Sequence, residues 1–600
     1  LDLTENKLKL FPMAPLRRLE SLASLRLAWN EISELPDDSY SLLGSLLILD
    51  LSSNNFEKLS EDCLRSCPIL HTLSFYYNSI ETIHKDAFVS LKELESIDLS
   101  YNKIVFLDVA TFKGNERLRN IELSNNHIHY IGGVFARLPE LRELYLAENN
   151  ILEIPGDAFV GSVSLAVVYL QQNAIRRIDG RGLTDLNQLA QLHLSNNYIE
   201  KVPREFLEHC ENLSSLSLDG NKIHELQPGT FLKLHQLREL RLQDNNITEG
   251  NQLTVLGDVF QLSASESSSG GSSLVSIQLD SNGLAVLHND SLRGQASVRI
   301  MWLGHNKLTH LQAPLFRDLL LVERLYLTNN SISRIEDGAF QPMQALKFLE
   351  KLKVLDLANN HLTVLHDAIF QEGLPIKTLN LKNCSIISIE GGAFRGLDNL
   401  SDLNLDGNHL TQISEHSLNG LPSLQELYLD KAHISQLPEV IFVLNRNLAR
   451  LHLNKNDLRN LPPGIFDRLA SLREIRLDYN RFQDIPYSAL ANALNLEILT
   501  LSNNQIVNVD VASFARYPVL QEVHISGTNL SIVTSQDFEA FPALLHLYLS
   551  HNSVSRVSPG AFRSLPNLLT LHLGMNSLDI LPKERLQGME HLRILNLTHN

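Results

Sequence analysis

Apolar residues recur along this chain in a fixed frame, LxxLxLxxNxL. Two inward positions alternate with polar neighbours, and an asparagine follows. The asparagine position falls at Asn6, Asn30, Asn54, Asn78, Asn102, Asn126, Asn149, Asn173, Asn197, Asn221 and Asn245, then at Asn282, Asn306 and Asn330. From Asn360 it advances in steps of 24 through Asn408, Asn456, Asn480, Asn504, Asn552 and Asn576 to Asn600, with Cys384, Ala432 and Thr528 in the remaining places. Of the 24 intervals, 21 are 24 residues long and the others are 23, 37 and 30, so one structural unit is repeated 25 times.

Within Leu141-Arg-Glu-Leu144-Tyr-Leu146-Ala-Glu-Asn149-Asn-Ile151, Leu144 and Leu146 follow the period of two expected of a strand buried on one face. Asn149 then turns the chain inward. Its side-chain amide can donate to and accept from backbone groups that the turn would otherwise leave unpaired, so stacked asparagines predict a ladder through the interior. Losing one rung should cost about 1–3 kcal/mol, the penalty of an unsatisfied buried group.

A second spine stands ten residues after most ladder positions, as in Phe88, Phe112, Phe159, Phe316, Phe340, Phe370, Phe394, Phe442, Phe466, Phe514, Phe538 and Phe562. Phe135 follows at nine, and Leu64, Leu183, Leu207, Leu292, Leu418, Leu490 or Leu586 fills the slot elsewhere. No coil has a sealed core of its own, so stability is a sum over neighbours.

These features predict an α/β repeat solenoid: a right-handed horseshoe or superhelix with a parallel β-sheet on its concave face and short irregular, 3-10 or helical segments on the convex side. Residues 1–600 read as one continuous array. A Ser-rich insertion at 250–275 is expected to loop out, because its composition cannot bury enough apolar surface to offset ordering. A second insertion, at 341–354, carries apolar residues at 346, 349 and 352 that suit a short convex helix. The chain opens inside a strand and stops on a ladder residue, so both ends are expected to be cut from a longer array, without caps.

Against 51 Lys and Arg stand 68 Asp and Glu, a net charge of −17, which argues against nucleic acid or anionic membrane as partner. Of the four cysteines, Cys384 reads as a buried thiol, Cys67 and Cys210 lie too many coils apart to bond, and Cys63 with Cys67 leaves a local disulfide open. Sequons at Asn212, Asn246, Asn289, Asn329, Asn383, Asn399, Asn529 and Asn596 are candidate glycosylation sites.

No GxSxG, HExxH, P-loop or CxxC signature occurs, and nothing in the sequence calls for a metal or cofactor. Enzymatic activity is not expected. Candidate binding residues come instead from the position between the two inward leucines, which lines the concave face once per coil. That column reads Tyr145, Tyr169, His193, then Trp302, Tyr326, then Tyr428, His452, then His524, Tyr548, His572. Aromatic groups on adjacent strands suit a protein interface, since they combine large contact area with a polar handle.

The run Leu144-Tyr-Leu146-Ala-Glu-Asn149-Asn-Ile151…Ile154-Pro155…Ala158-Phe159 resembles the 24-residue leucine-rich repeat common in animal extracellular proteins. A fixed period in this range with this consensus is the mark of that class. The long array resembles the arthropod chaoptin family, including its artichoke-type matrix relatives. That resemblance implies an extracellular or cell-surface protein working in adhesion or matrix organisation through a protein partner, including a second copy of itself. In chaoptin's case a lipid anchor holds the protein, so membrane association would lie in segments outside this chain. A signalling-receptor ectodomain of the Toll-like kind and an intracellular interaction scaffold are the alternatives.

Overall fold

A computed structural model describes the chain apart from residues 13–15, 17–18, 36–42, 62, 228, 249–272, 290, 341–351, 368, 371–372, 412, 508, 510–516 and 580–588. The expected Ser-rich loop lies outside the described residues up to 272, as does the expected convex helix up to 351. The chain divides into two units, Leu1–Asn306 and Lys307–Asn600.

Among the described residues of the first unit, twelve three-residue strands run parallel, from Ser24–Arg26 to Ile300–Trp302. Each pairs in register with the residues one repeat away, so Leu144 faces Val168 and Val168 faces Leu192. The central strand residue is buried while its two neighbours are partly exposed, as the period of two requires. The 23-residue interval leaves the register intact, with Asn120–Glu122 paired to Glu143–Tyr145. Across the 37-residue interval Glu239–Arg241 pairs directly with Ser276–Gln278.

The second unit repeats the plan with twelve parallel strands from Arg324–Tyr326 to Ile594–Asn596. Its 30-residue interval is also absorbed, because Arg324–Tyr326 pairs with Val354–Asp356. Among the described residues helix is almost absent: a 3-10 turn at Arg204–Leu207 in the first unit and a short helix at Tyr487–Leu490 in the second. Two-residue parallel pairs, such as Glu153–Ile154 with Arg177–Ile178, form a secondary seam after the asparagine turn that the sequence reading did not anticipate.

The ladder asparagines hydrogen-bond from coil to coil. Asn54 Nδ2 donates to Leu27 O of the preceding coil at 2.9 Å and to Leu51 O and Ser52 O of its own turn, while its Oδ1 accepts from Ile32 N at 3.0 Å. Asn102, Asn126, Asn197, Asn408 and Asn504 repeat these bonds with the same spacing. Asn78 differs in being half-buried. Where the asparagine is missing, the next rung covers part of the gap. Ala432 N and Ile434 N both donate to Asn456 Oδ1 at 3.0 Å, and Cys384 Sγ lies 3.0 Å from Leu357 O.

The phenylalanine spine stacks across coils. Phe88 and Phe112 lie 6.0 Å apart at 8°, Phe340 and Phe370 6.0 Å at 13°, and Phe538 and Phe562 6.0 Å at 19°. Leu64, Leu183, Leu207, Leu292, Leu418 and Leu490 are buried in the same slot. Phe514 and Leu586 fall outside the described residues.

All four cysteines are buried thiols, so the Cys63–Cys67 disulfide left open by the sequence does not form. Burial pushes the Cys67, Cys210 and Cys384 thiols up to about 12, which keeps them protonated and unreactive.

A further row of caps was missed. Thirteen residues after the ladder position, Asn115 donates to Phe88 O and Leu91 O at 2.9 and 2.8 Å, Ser162 to Phe135 O at 2.6 Å, and Tyr517 to Leu490 O at 2.8 Å. Cys67 and Cys210 occupy the same slot. Leucine fills the slot in many other coils, as at Leu91, Leu186 and Leu319, so no periodic residue type marks it.

Candidate functional site: the sheet face

Each coil contributes the residues six, four, two and one before its ladder position to the open side of the sheet, most of them exposed or half-buried and some, such as Ser100, Ala147 and Ser217, buried. In the first unit the four-before column brings Tyr145, Tyr169 and His193 onto adjacent strands. Their rings form one roll: Tyr145 to Tyr169 at 5.0 Å and 8°, and Tyr169 to His193 at 4.4 Å and 4°. All three are half-buried. Tyr145 donates its hydroxyl to Glu143 Oε2 at 2.9 Å, and burial with that bond pushes its pKa up to about 12. Desolvation, with Arg241 as the next cause, lowers the His193 pKa and keeps its ring neutral at physiological pH.

The row continues on the other side of Tyr145. Its register partner is Glu122, and Glu122 in turn faces Asp98. Desolvation and Asp98 raise the Glu122 pKa, although Ser124 N donates to its Oε1 at 3.0 Å. Asp98 Oδ1 accepts from Ser100 N and Oγ. Two neighbouring carboxylates thus abut the end of an aromatic roll.

The second unit holds two further clusters. Tyr428 and His452 meet edge to face at 4.7 Å, with the Tyr428 hydroxyl on Glu426 at 2.6 Å. His524 stacks on Tyr548 at 4.1 Å, Tyr548 meets His572 tilted by 33° at 4.9 Å, and His524 Nε2 lies 2.7 Å from Glu522 Oε1. Desolvation and then Arg476 lower the His452 pKa. Trp302 is half-buried beside Gln278 in the first unit, and Tyr326 half-buried beside Asp356 in the second. Each aromatic cluster therefore contains a ring bonded to the glutamate two residues earlier on its own strand.

A further aromatic group, at exposed positions the sequence also marks, lies outside that column. Tyr76, Tyr77 and Tyr101 pack with centroids 5.4 to 6.2 Å apart while remaining 37%, 55% and 45% exposed. Tyr77 and Tyr101, like Trp29, stand just before a ladder asparagine with φ near +54°. Every coil adopts this left-handed turn there, although only Gly220, Gly407 and Gly527 are glycine. A bulky residue in that region costs about 1–2 kcal/mol, so exposed aromatics at this position are not explained by folding.

Among the described residues no group of three or more His, Cys, Asp or Glu side chains could hold a metal ion. Of the candidate acceptor asparagines, Asn212, Asn246, Asn289, Asn383, Asn399 and Asn529 are exposed, and Asn329 and Asn596 half-buried.

The repeated frame matches a known family along most of the chain. The leucine-rich repeat family matches residues 44–104, 92–151, 139–199, 188–247, 298–350, 350–410, 375–434, 422–482, 446–492, 494–554 and 546–600. The chain belongs to the leucine-rich repeat family. Over 139 residues this leucine-rich repeat chain is 32% identical to the human protein Leucine-rich repeats and immunoglobulin-like domains protein 1; the match takes in 20% of this chain and 12% of that protein. Among solved structures it is similar to the TLR13–ssRNA13 complex, at a TM-score of 0.51 and 23% identity over 96% of this chain and 81% of that one. A leucine-rich repeat protein of Leptospira interrogans matches at 0.53 and 23% over 69% of this chain and 97% of its own. These structural likenesses speak to the fold alone.

Proposed function

We propose that this leucine-rich repeat chain is an extracellular protein-interaction scaffold in cell adhesion or matrix organisation, binding through the open sheet face. The observation that carries the reading is the Tyr145–Tyr169–His193 roll, three rings held in register on a rigid sheet and left half-open to solvent. Aromatic side chains prepositioned in this way lose little entropy on association, which is what a binding centre requires.

Other features support it. No sequon occurs before Asn212, so glycans at the candidate acceptors would leave the first unit's aromatic face uncovered. We take the six exposed sequon asparagines as glycan acceptors. Among the described residues no helix is long and apolar enough to cross a membrane. The resemblance to chaoptin and its artichoke-type relatives favours adhesion over signalling. A receptor ectodomain would use the same face; an intracellular scaffold would leave the sequons unmodified.

The solved relative in complex with single-stranded RNA raises nucleic acid as a partner. The sheet face of the coils from Asn54 to Asn221 offers phosphates no Lys or Arg, which speaks for a protein instead. The experiment is binding of the labelled chain to cell surfaces and to itself on coated beads. Tyr145→Ala with Tyr169→Ala should weaken association at least fivefold while the fold persists. Unchanged association would remove the sheet face from the account.

A further inference from the structure

We infer that the first unit's sheet face recognises arginine side chains of a protein partner, with the slot between Glu122 and the Tyr145 ring as its centre. The inference rests on the sheet-face reading above and names the partner's chemistry.

In the eight coils from Asn54 to Asn221, the four face positions of every coil hold no Lys or Arg, yet they hold Asp50, Asp98, Glu122, Glu143, Glu148 and Asp219. Elsewhere the same positions are mixed, with Arg26 and Arg241 in the first unit's flanking coils and Arg324, Lys382, Lys431, Arg450, Lys455 and Arg476 among carboxylates in the second unit's coils up to Asn480. The nearest arginines in the first unit's central coils, Arg119 and Arg142, stand just before their strands, and Arg119 is engaged by Glu95 and Glu140 at 3.0 and 3.3 Å.

Geometry then locates the centre. Tyr169 covers one face of the Tyr145 ring, so the other face looks along the sheet toward Glu122. Next to Glu122 stands Asp98, and the Tyr145 hydroxyl is tied to Glu143. A π face, two in-register carboxylates and a third bonded to the ring's hydroxyl lie on three adjacent strands, and among the described residues no Lys or Arg is ion-paired with any of the three. Glu122 meets both desolvation and Asp98 there, and an incoming positive charge would relieve that conflict. A guanidinium suits the slot better than an ammonium, because its plane stacks on the ring while its N–H groups fork onto a carboxylate. Along the same face, Tyr76, Tyr77 and Tyr101 add exposed rings for neighbouring residues of the partner.

The test titrates the intact chain with nona-arginine, nona-lysine and nona-glutamate peptides by calorimetry at 50 mM salt, with hydrogen exchange to map the contact. Nona-arginine should bind several-fold more tightly than nona-lysine, nona-glutamate should not bind, and protection should centre on residues 120–122 and 143–145. Glu122→Gln with Glu143→Gln, which preserves shape, should weaken nona-arginine at least tenfold. Glu57→Gln with Glu81→Gln, exposed acids after the asparagine turn, should change it less than twofold. No binding of nona-arginine, or equal losses from the two pairs, would overturn the inference by reducing it to general charge attraction. In the cell-surface assay, loss with the tyrosine pair but not with the glutamate pair would overturn the arginine slot and leave the sheet-face reading standing. No effect of either pair would overturn both.

Discussion

Tyr169 and His193, 24 residues apart in sequence, lie with their rings 4.4 Å apart and parallel within 4°. The repeat makes this contact: an in-register parallel sheet turns a sequence period into a spatial column, so one side-chain choice per coil becomes a continuous surface. The column is polar-edged and half-open in these coils, whereas the leucines on either side of each ring close the interior.

The ladder predicts a sharp difference between adjacent asparagines. Asn54 is 6% exposed and makes four hydrogen bonds through its side chain, while Asn55 points to solvent. Asn54→Leu should destabilise the surrounding coils by about 1–3 kcal/mol more than Asn55→Leu, the penalty of leaving buried backbone groups unpaired. Hydrogen exchange across residues 27–78 is the appropriate readout, since repeat arrays open in parts. Equal exchange in the two variants would remove the ladder from the account.

Strand frame, ladder and spine were all legible in the sequence because each requires a chemically distinctive residue: leucine inside, asparagine at the turn, phenylalanine behind. The left-handed turn before each asparagine was not, because backbone geometry is imposed by the coil and the residue there ranges from Glu148 to Trp29 and Met575. The caps at Asn115, Ser162 and Tyr517 were hidden for a different reason. Their slot accepts any buried residue, and Leu319 or Ala493 fills it elsewhere. Candidate rings could be named from the column, but not which would stack, since Tyr428 and His452 meet edge-on in the same frame. Nor did reading one column reveal the carboxylates beside the rings.

Backbone strain gives an unusual expectation for Tyr77. It is 55% exposed with φ at 54°, a region asparagine enters more readily. Tyr77→Asn should leave the unfolding midpoint unchanged or raise it, while weakening association if the exposed tyrosines contact the partner. A clear drop in midpoint would show that the ring supports the fold.

Glu122 should display the opposite signs of stability and binding. Its pKa is raised by desolvation and by Asp98, so the charged form is disfavoured in the folded state. The stability tied to this group is present below the unfolded carboxylate pKa and is lost as pH rises through the folded value. Glu122→Gln should therefore stabilise the first unit at pH 7.5, measured by thermal unfolding, and make no comparable difference at pH 3.5. Destabilisation at pH 7.5 would contradict the electrostatic assignment.

His193 predicts loosening in acid. Desolvation and Arg241 lower its pKa, so the stability tied to its neutral form is present above the unfolded value of about 6.5 and is lost as pH falls through the lower folded one. Exchange at residues 191–193, corrected for intrinsic rates, should be faster at pH 5 than at pH 7.5, and His193→Gln should flatten the difference. Slower exchange at pH 5 would reverse the sign.

The central claim is that the chain binds a protein through the sheet face of its first unit. The most direct measurement is a cell-surface binding isotherm for the wild-type chain and for Tyr145→Ala/Tyr169→Ala, beside Val109→Ala/Val163→Ala as exposed controls away from the sheet face. The account predicts at least a fivefold loss of affinity for the tyrosine pair and less than twofold for the valine pair, with both variants folded. The reverse order, or equal affinity in all three proteins, would contradict it.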